Sequence, residues 1–180
     1  MSHTVFKPLL LAGLILLVGG CGLYQSVGDR SATFARSIFY KQVKTLHLDI
    51  SGRAAINTDN RDMSGLSVTT LVRIYALRDG KAFERASYDS LLGDSQDLLG
   101  ADLLDERTLV IGPGEGAQVS VPLDEAAQVV AVAALFRQPD TAKNNWRLLL
   151  RRDELDPDRP RVIELADNHL SLRPLARNDR

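Results

Sequence analysis

Residues 129–136 read Val-Val-Ala-Val-Ala-Ala-Leu-Phe, eight apolar positions in succession. A short apolar run with no polar face is typical of a central β-strand that is buried on both sides of its sheet. Residues 44–51 and 66–77 instead alternate apolar and polar side chains, as half-buried strands do. Several such strands separated by turn residues predict a mainly β protein with two packed sheets, a β-sandwich.

The remaining strands follow from shorter patterns, and one region changes its period. Strands are predicted at residues 108–111, 118–123, 128–137, 146–151, 161–165 and 170–172. Residues 81–105 carry apolar side chains at wider spacing, interrupted by Gly93 and Gly100, and predict a short helical insertion between strands two and three. Gly112–Gly116 resembles a phosphate-binding loop, but no helix follows it, so we expect a hairpin turn there.

The first twenty residues have the features of a secretory signal peptide. Lys7 precedes an apolar run of about ten residues, which is too short to span a bilayer. Gly19-Gly20-Cys21 ends the run and is similar to the lipobox of bacterial lipoproteins, and Cys21 is the only cysteine in the chain. We therefore predict that residues 1–20 are a lipoprotein signal peptide and that Cys21 is the lipid-attachment residue.

The predicted anchor defines the rest of the organisation. We expect a lipid-anchored tether at 21–41, a β-sandwich domain at 42–173 and a flexible tail at 174–180. The residue after Cys21 is glycine rather than the aspartate that retains bacterial lipoproteins in the inner membrane. This favours localisation at the outer membrane, facing the periplasm, with acyl chains rather than a helix holding the protein there.

Charge and motifs argue against nucleic-acid binding and against an enzyme. The net charge is −1 and both signs are scattered, without the basic stripe that nucleic acid requires. No Gly-x-Ser-x-Gly motif occurs, and His47 and His169 lie far apart in sequence. We predict no catalytic residue, no metal and no cofactor, although a serine–histidine–carboxylate site assembled from distant segments stays open.

Several stretches, taken in order, resemble one known family. They are Ala55-Ile56-Asn57, Leu71-Val72-Arg73-Ile74-Tyr75-Ala76-Leu77, the segment with Phe83, Tyr88 and Leu91-Leu92, Leu99-Gly100-Ala101-Asp102-Leu103-Leu104, Ile111-Gly112-Pro113-Gly114, Val130–Arg137 and Asn145-Trp146-Arg147. In this order and behind a lipobox, they are similar to the outer-membrane lipoprotein of the bacterial type VI secretion system, the TssJ (SciN) family. The similarity spans most of the domain.

The resemblance implies a fold and a role. It implies a transthyretin-like β-sandwich with extra helices and a non-enzymatic protein that binds the periplasmic C-terminal part of TssM, an inner-membrane component of the secretion system. That binding would tether and assemble the envelope-spanning complex. The resemblance also allows an oligomer of this chain within the complex. The loop between the first two strands contacts TssM in the family, which implies partner-binding roles for Asn57, Asp59, Arg61 and Met63. The alternative is a periplasmic lipoprotein that binds a small ligand inside its sandwich.

Overall fold

Two four-stranded sheets form the protein in the computed structural model, which describes residues 43–59 and 66–175. The predicted signal peptide, the whole predicted tether and most of the predicted tail lie outside the described residues. The strands are β1 Thr45–Ile56, β2 Thr70–Leu77, β3 Leu103–Ile111, β4 Gly116–Pro122, β5 Val129–Leu135, β6 Arg147–Arg151, β7 Arg161–Asp167 and β8 His169–Leu172. The helices are α1 Lys81–Arg85, α2 Tyr88–Leu92 and α3 Ser95–Leu99, with 3₁₀ turns at Gly100–Asp102 and Arg152–Glu154.

The sheet topology is that of a β-sandwich. The first sheet has the order β4-β1-β7-β8 and the second has the order β3-β2-β5-β6. Only the β1–β7 pair is parallel among the described strands; the others are antiparallel. The predicted β-sandwich with a helical insertion between strands two and three is confirmed.

The core lies between the sheets. The two sequence patterns that predicted it, the apolar run of β5 and the alternation on β1, are confirmed. β5 is flanked by β2 and β6, and residues 130–134 are all buried, as a central apolar strand should be. On β1, Leu46, Leu48 and Ile50 are at most 3% exposed, while the residues between them are partly exposed. Period-two alternation on β1 therefore directs its apolar face into the sandwich.

Two local predictions differ from the structure. The helical insertion ends at Asp102 rather than at residue 105, because Leu103 already pairs with Leu77 across an irregularity in the β2–β3 register. The prediction of a hairpin at Gly112–Gly116 is wrong, since β3 and β4 belong to different sheets. The turn is held by β1 instead: Gly52 donates its N–H to the carbonyl of Glu115 at 2.7 Å.

The helical insertion covers the outer face of the second sheet and is fastened by Arg147. Its guanidinium donates to the carbonyls of Phe83 and Ala86 at 2.8 Å each and of Glu84 at 2.9 Å, which satisfies carbonyl groups at the end of α1. The same group lies 4.9 Å from the ring of Trp146, which is 1% exposed. Trp146 is thus part of the buried core.

The N-terminal entry and the first long loop lie at opposite ends of β1. At the entry, Arg152 donates to the carbonyl of Val43 at 2.6 Å. At the other end, which we call the loop end, residues 57–59 and 66–69 meet residues 136–145 and the turn at 167–168. Among the described helices, none has the length and apolarity to cross a bilayer.

Candidate functional site: the loop end of the sandwich

Asn57 organises the loop end. It is 3% exposed and has a positive φ of 49°, a conformation that asparagine adopts more readily than most residues. Its side-chain Nδ2 donates to the carbonyl of Thr69 at 3.0 Å, and its Oδ1 accepts from the backbone N–H of Arg137 at 2.6 Å. Its own N–H donates to the carbonyl of Asp167 at 2.5 Å. One residue therefore joins the two ends of the β1–β2 loop to two other connections.

The next residues of the loop make further contacts at the same end. Arg137 donates to Asp59 Oδ2 at 3.4 Å, and the amide of Gln138 hydrogen-bonds Asp59 Oδ1. Asn168 donates to the carbonyl of Thr58 at 2.9 Å. Thr58 and Asp59 are partly exposed, unlike Asn57. The base of the loop is consequently ordered by the rest of the sandwich, and the side chain of Asp59 is 21% exposed there.

The structure describes two of the four residues for which a partner role was expected. Asn57 and Asp59 lie together at the loop end, but the side chain of Asn57 is committed to internal hydrogen bonds. Arg61 and Met63 lie outside the described residues, as does Cys21. The loop as a contact surface therefore stays a prediction, with Asn57 placed to shape it and Asp59 placed to present it.

Sequence reasoning missed the groups that hold this loop. These groups lie far from the loop in sequence: Arg137 and Gln138 in the β5–β6 connection, Asp167 at the end of β7 and Asn168 in the β7–β8 turn. No periodicity links them to residue 57. The only local signal is an asparagine immediately after a strand, a position where a left-handed conformation is common.

Tyr88 ties the helical insertion to the loop end. Its hydroxyl donates to the carbonyl of Phe136, directly before Arg137. Its ring packs edge-on against Trp146 with the ring centroids 5.1 Å apart. Burial raises the pKa of Tyr88 to about 12, so the hydroxyl stays protonated and remains a donor at any physiological pH.

The described residues do not assemble a recognisable reaction centre. Ser120 Oγ lies 3.1 Å from Nδ1 of His47, but the pair is exposed on the face of a flat strand pair. A catalytic histidine of this type needs a carboxylate on its second nitrogen, and the structure gives His47 no such hydrogen bond. Within residues 43–59 and 66–175, no three histidine, cysteine, aspartate or glutamate side chains are grouped to hold a metal ion.

The buried polar side chains of the described region do not converge either. They are Asn57, Thr70, Ser95 and Arg161. Asn57 and Thr70 lie at the loop end, Ser95 lies in α3, and Arg161 begins β7 beside Leu48. A small-ligand site needs several polar groups around one cavity. The groups here belong to three separate places and serve the loop, the insertion and the sheet.

Comparisons with known proteins agree on one family. The family of type VI secretion lipoproteins (VasD, EvfM, TssJ, VC_A0113) matches residues 44–172. A chain in the solved structure described as the T6SS protein TssM C-terminal domain (869–1107) from EAEC is 43% identical, with a TM-score of 0.66. A chain of a type VI membrane complex is 44% identical, with a TM-score of 0.69. For each, 74% of this chain covers 100% of that chain.

A more distant structure shares the fold. The T6SS lipoprotein TssJ1 from Pseudomonas aeruginosa is 23% identical, with a TM-score of 0.58, and 74% of this chain covers 98% of it. Comparison with curated proteins finds no match.

Proposed function

This chain belongs to the type VI secretion lipoprotein family, and we propose that it is the outer-membrane end of a protein bridge across the periplasm. Acyl chains on Cys21 hold the protein in the outer membrane. The loop end of the sandwich binds the periplasmic C-terminal part of TssM. The protein performs no catalysis in this role and acts by linking two components of the secretion complex.

The position of the loop end relative to the chain entry carries this proposal. The chain enters the domain at Val43, and β1 then runs for twelve residues before it reaches Asn57. At about 3.3 Å per residue, β1 extends for about 40 Å. A lipid attached before the entry and a partner bound after β1 would therefore act on opposite ends of one strand. The strand pairs with β4 over Thr45–Ser51 and with β7 over Leu48–Gly52 and at Ile56, so the two ladders overlap at Leu48–Ser51.

The comparisons support TssM as the partner. One matched structure is described as the TssM C-terminal domain, residues 869–1107. The chain in it that matches this protein is much shorter than that TssM fragment, because 74% of this 180-residue protein covers the whole of the matched chain. It is therefore better explained as a companion chain of TssM than as the fragment itself. The 44% identical chain of a type VI membrane complex supports the same partner class.

The residues then divide into two roles. Asn57 positions the loop, because both polar atoms of its side chain are used inside the protein. Asp59 has both roles, because it accepts from Arg137 and Gln138 while its side chain stays 21% exposed, and Arg61 and Met63 complete the contact surface. Substitution of a residue used only for contact changes binding alone, whereas substitution of Asn57 or Asp59 changes binding together with stability.

The test is binding of the full chain to TssM. The lipidated protein in detergent is titrated with the cognate periplasmic C-terminal region of TssM, and the same titration is made with Asp59→Ser, Arg61→Ser and Met63→Ser. We expect saturable binding that weakens in the loop variants, with unfolding transitions that stay unchanged in Arg61→Ser and Met63→Ser and fall in Asp59→Ser, which loses its bonds to Arg137 and Gln138. Gln118→Ser, on the exposed face of β4, serves as the matched control. Binding that is equal in all four variants and the unmodified chain would place the interface elsewhere.

A further inference from the structure

The outer edge of β3 has no strand partner among the described residues. β3 lies at the end of the second sheet and hydrogen-bonds only with β2 there. A strand edge of this kind presents unpaired backbone N–H and C=O groups, which attract any extended chain. Soluble proteins therefore protect their edges with charges, prolines, bulges or short strands.

The two halves of β3 differ in this protection. The first half carries a register irregularity between Ala76 and Leu77 and has charged residues at Asp105 and Arg107. These two residues pair with Ala76 and Ile74, which are buried, so they occupy the inward-facing positions of the edge strand. Inward charges and bulges both oppose strand addition. The second half, Thr108–Ile111, has no charge and a regular register.

The unprotected half also exposes apolar surface. Val110 is 62% exposed, which is unusual for a β-branched residue in a regular strand. Its cross-strand neighbour is Leu71, which in turn pairs with Leu135 on β5, so the three side chains form a row across the outer face of the sheet. The helical insertion begins to cover the sheet at the next row, where Arg73 donates to the carbonyl of Leu91 at 2.8 Å.

The other edges of the described sandwich are better guarded. β4 alternates Gln118 and Ser120 on its exposed side and ends at Pro122. β6 has five residues and β8 has four. The second half of β3 is thus the one edge segment in the described region that combines open backbone, a regular register and an exposed apolar side chain.

We propose that Thr108–Ile111 is a strand-addition site, at which an extended apolar segment of the periplasmic partner pairs with β3 and covers Val110. This inference rests on the proposed function and adds a second contact to it. The location favours that occupant: Ile111 pairs with Thr70, the first residue after the β1–β2 loop. The end of the loop therefore lies beside the unprotected half of β3.

A second copy of the chain fits this edge poorly. Two β3 strands related by a two-fold axis keep the same face, so each residue opposes one of the same parity. Centring the pair on Glu106 opposes Asp105 with Arg107 twice, but it also opposes Glu106 with its own copy and leaves Val110 without a strand partner. Centring it on Arg107 opposes that residue with its own copy. Centring it at residue 108 or 109 opposes Arg107 with an apolar residue, and centring it on Val110 covers only three residues of the strand. Each arrangement therefore opposes like charges, opposes a charge with an apolar residue, leaves Val110 uncovered or is very short.

The test places a charge on the edge. The full chain in detergent carries Val110→Lys, and Gln118→Lys on the β4 edge is the matched control, since both positions are exposed. We expect Val110→Lys to weaken binding of the TssM periplasmic region by about tenfold or more, and Gln118→Lys to leave it unchanged. In the wild-type complex, amide hydrogen exchange should slow at alternate residues of 108–111, because only outward N–H groups gain a partner.

Each other outcome has a distinct meaning. If the wild-type chain binds and both lysine variants bind equally well, without new amide protection, strand addition is wrong and the proposed function stands. If the wild-type chain does not bind TssM, the proposed function fails and takes this inference with it. If Val110→Lys instead abolishes self-association while TssM binding is unchanged, the edge pairs two copies and the inference is overturned. Unfolding curves of both variants must match the wild type, as two exposed positions should allow.

Discussion

Replacing Asn57 tests most directly whether the hydrogen bonds of this residue order the loop end. Asn57→Ala removes the donor to the carbonyl of Thr69 and the acceptor for the N–H of Arg137. Thr69 is exposed, so its carbonyl regains water at a cost of about 1 kcal/mol, whereas a part-buried N–H left unpaired costs about 1–3 kcal/mol. Alanine at a φ of 49° adds about 1 kcal/mol of backbone strain. The free energy of unfolding should fall by about 3–5 kcal/mol.

Two further variants separate these contributions. Asn57→Gly removes the same hydrogen bonds but tolerates the positive φ, so it should be about 1 kcal/mol more stable than the alanine variant. Asn57→Asp keeps the acceptor for Arg137 but buries a charge and turns the 3.0 Å hydrogen bond to Thr69 into a contact between two oxygens, so it should also be less stable than the wild type. The glycine and alanine variants therefore separate the strain from the hydrogen bonds.

Trp146 provides the assay. It is the only tryptophan in the chain and is 1% exposed, so its fluorescence in a urea titration reports unfolding of the core. A loss of about 3 kcal/mol corresponds to a thermal shift on the order of 10 °C for a domain of this size. An alanine variant that loses less than about 1 kcal/mol would show that these hydrogen bonds do not order the loop end. Equal stabilities of the glycine and alanine variants would refute the strain at this position.

Three more predictions concern other parts of the chain. Arg147→Met should destabilise the fold by about 2–4 kcal/mol, because three carbonyls of the insertion lose a charged donor; equal urea midpoints for the variant and wild type would contradict this. Cys21→Ser should leave the urea midpoint unchanged and move the protein from the membrane to the soluble fraction in cells lacking TssM, whereas retention in the membrane would disprove the anchor. Arg53 and Arg173 lower the pKa of Glu164, so the ion pairs stabilise the fold above the unfolded pKa of about 4.5, and this stabilisation is lost as the pH falls through the lower folded value. Replacing both arginines with glutamine should reduce the loss of stability on acidification, and a pH profile identical to the wild type would contradict this assignment.

The sequence predicted the strands well because strand formation here depends on local patterns. Alternation on β1 and the continuous apolar run of β5 each follow from which faces of the strand are buried. Strand pairing depends on distant residues instead. β1 takes β4 and β7 as neighbours, so the turn at Gly112–Gly116 crosses between sheets although its residues suit a hairpin. No local signal distinguishes the two outcomes.

The candidate site was predictable only in its position along the chain. A long polar connection between β1 and β2 marked the region, and the family resemblance suggested its use. The sequence could not assign the roles within it, because the burial of Asn57 depends on Arg137 and Asp167, which are distant in sequence. An asparagine in a polar loop looks the same whether its amide faces a partner or the protein's own backbone.

The open edge of β3 could not be predicted from the sequence either, because it depends on which strands pair. It affects how a protein bridge would transmit force. A partner held only by the β1–β2 loop would pull on residues 57–69, whose ends are joined by the hydrogen bonds of one asparagine. A partner that also pairs with β3 would pull on the second sheet directly, through β2 and its ladder to β5. Backbone hydrogen bonds loaded together along a strand share the load, whereas single side-chain bonds loaded one after another do not. A second contact at Val110 would thus make the sandwich itself, rather than its most exposed loop, the mechanical link between the anchor and the partner.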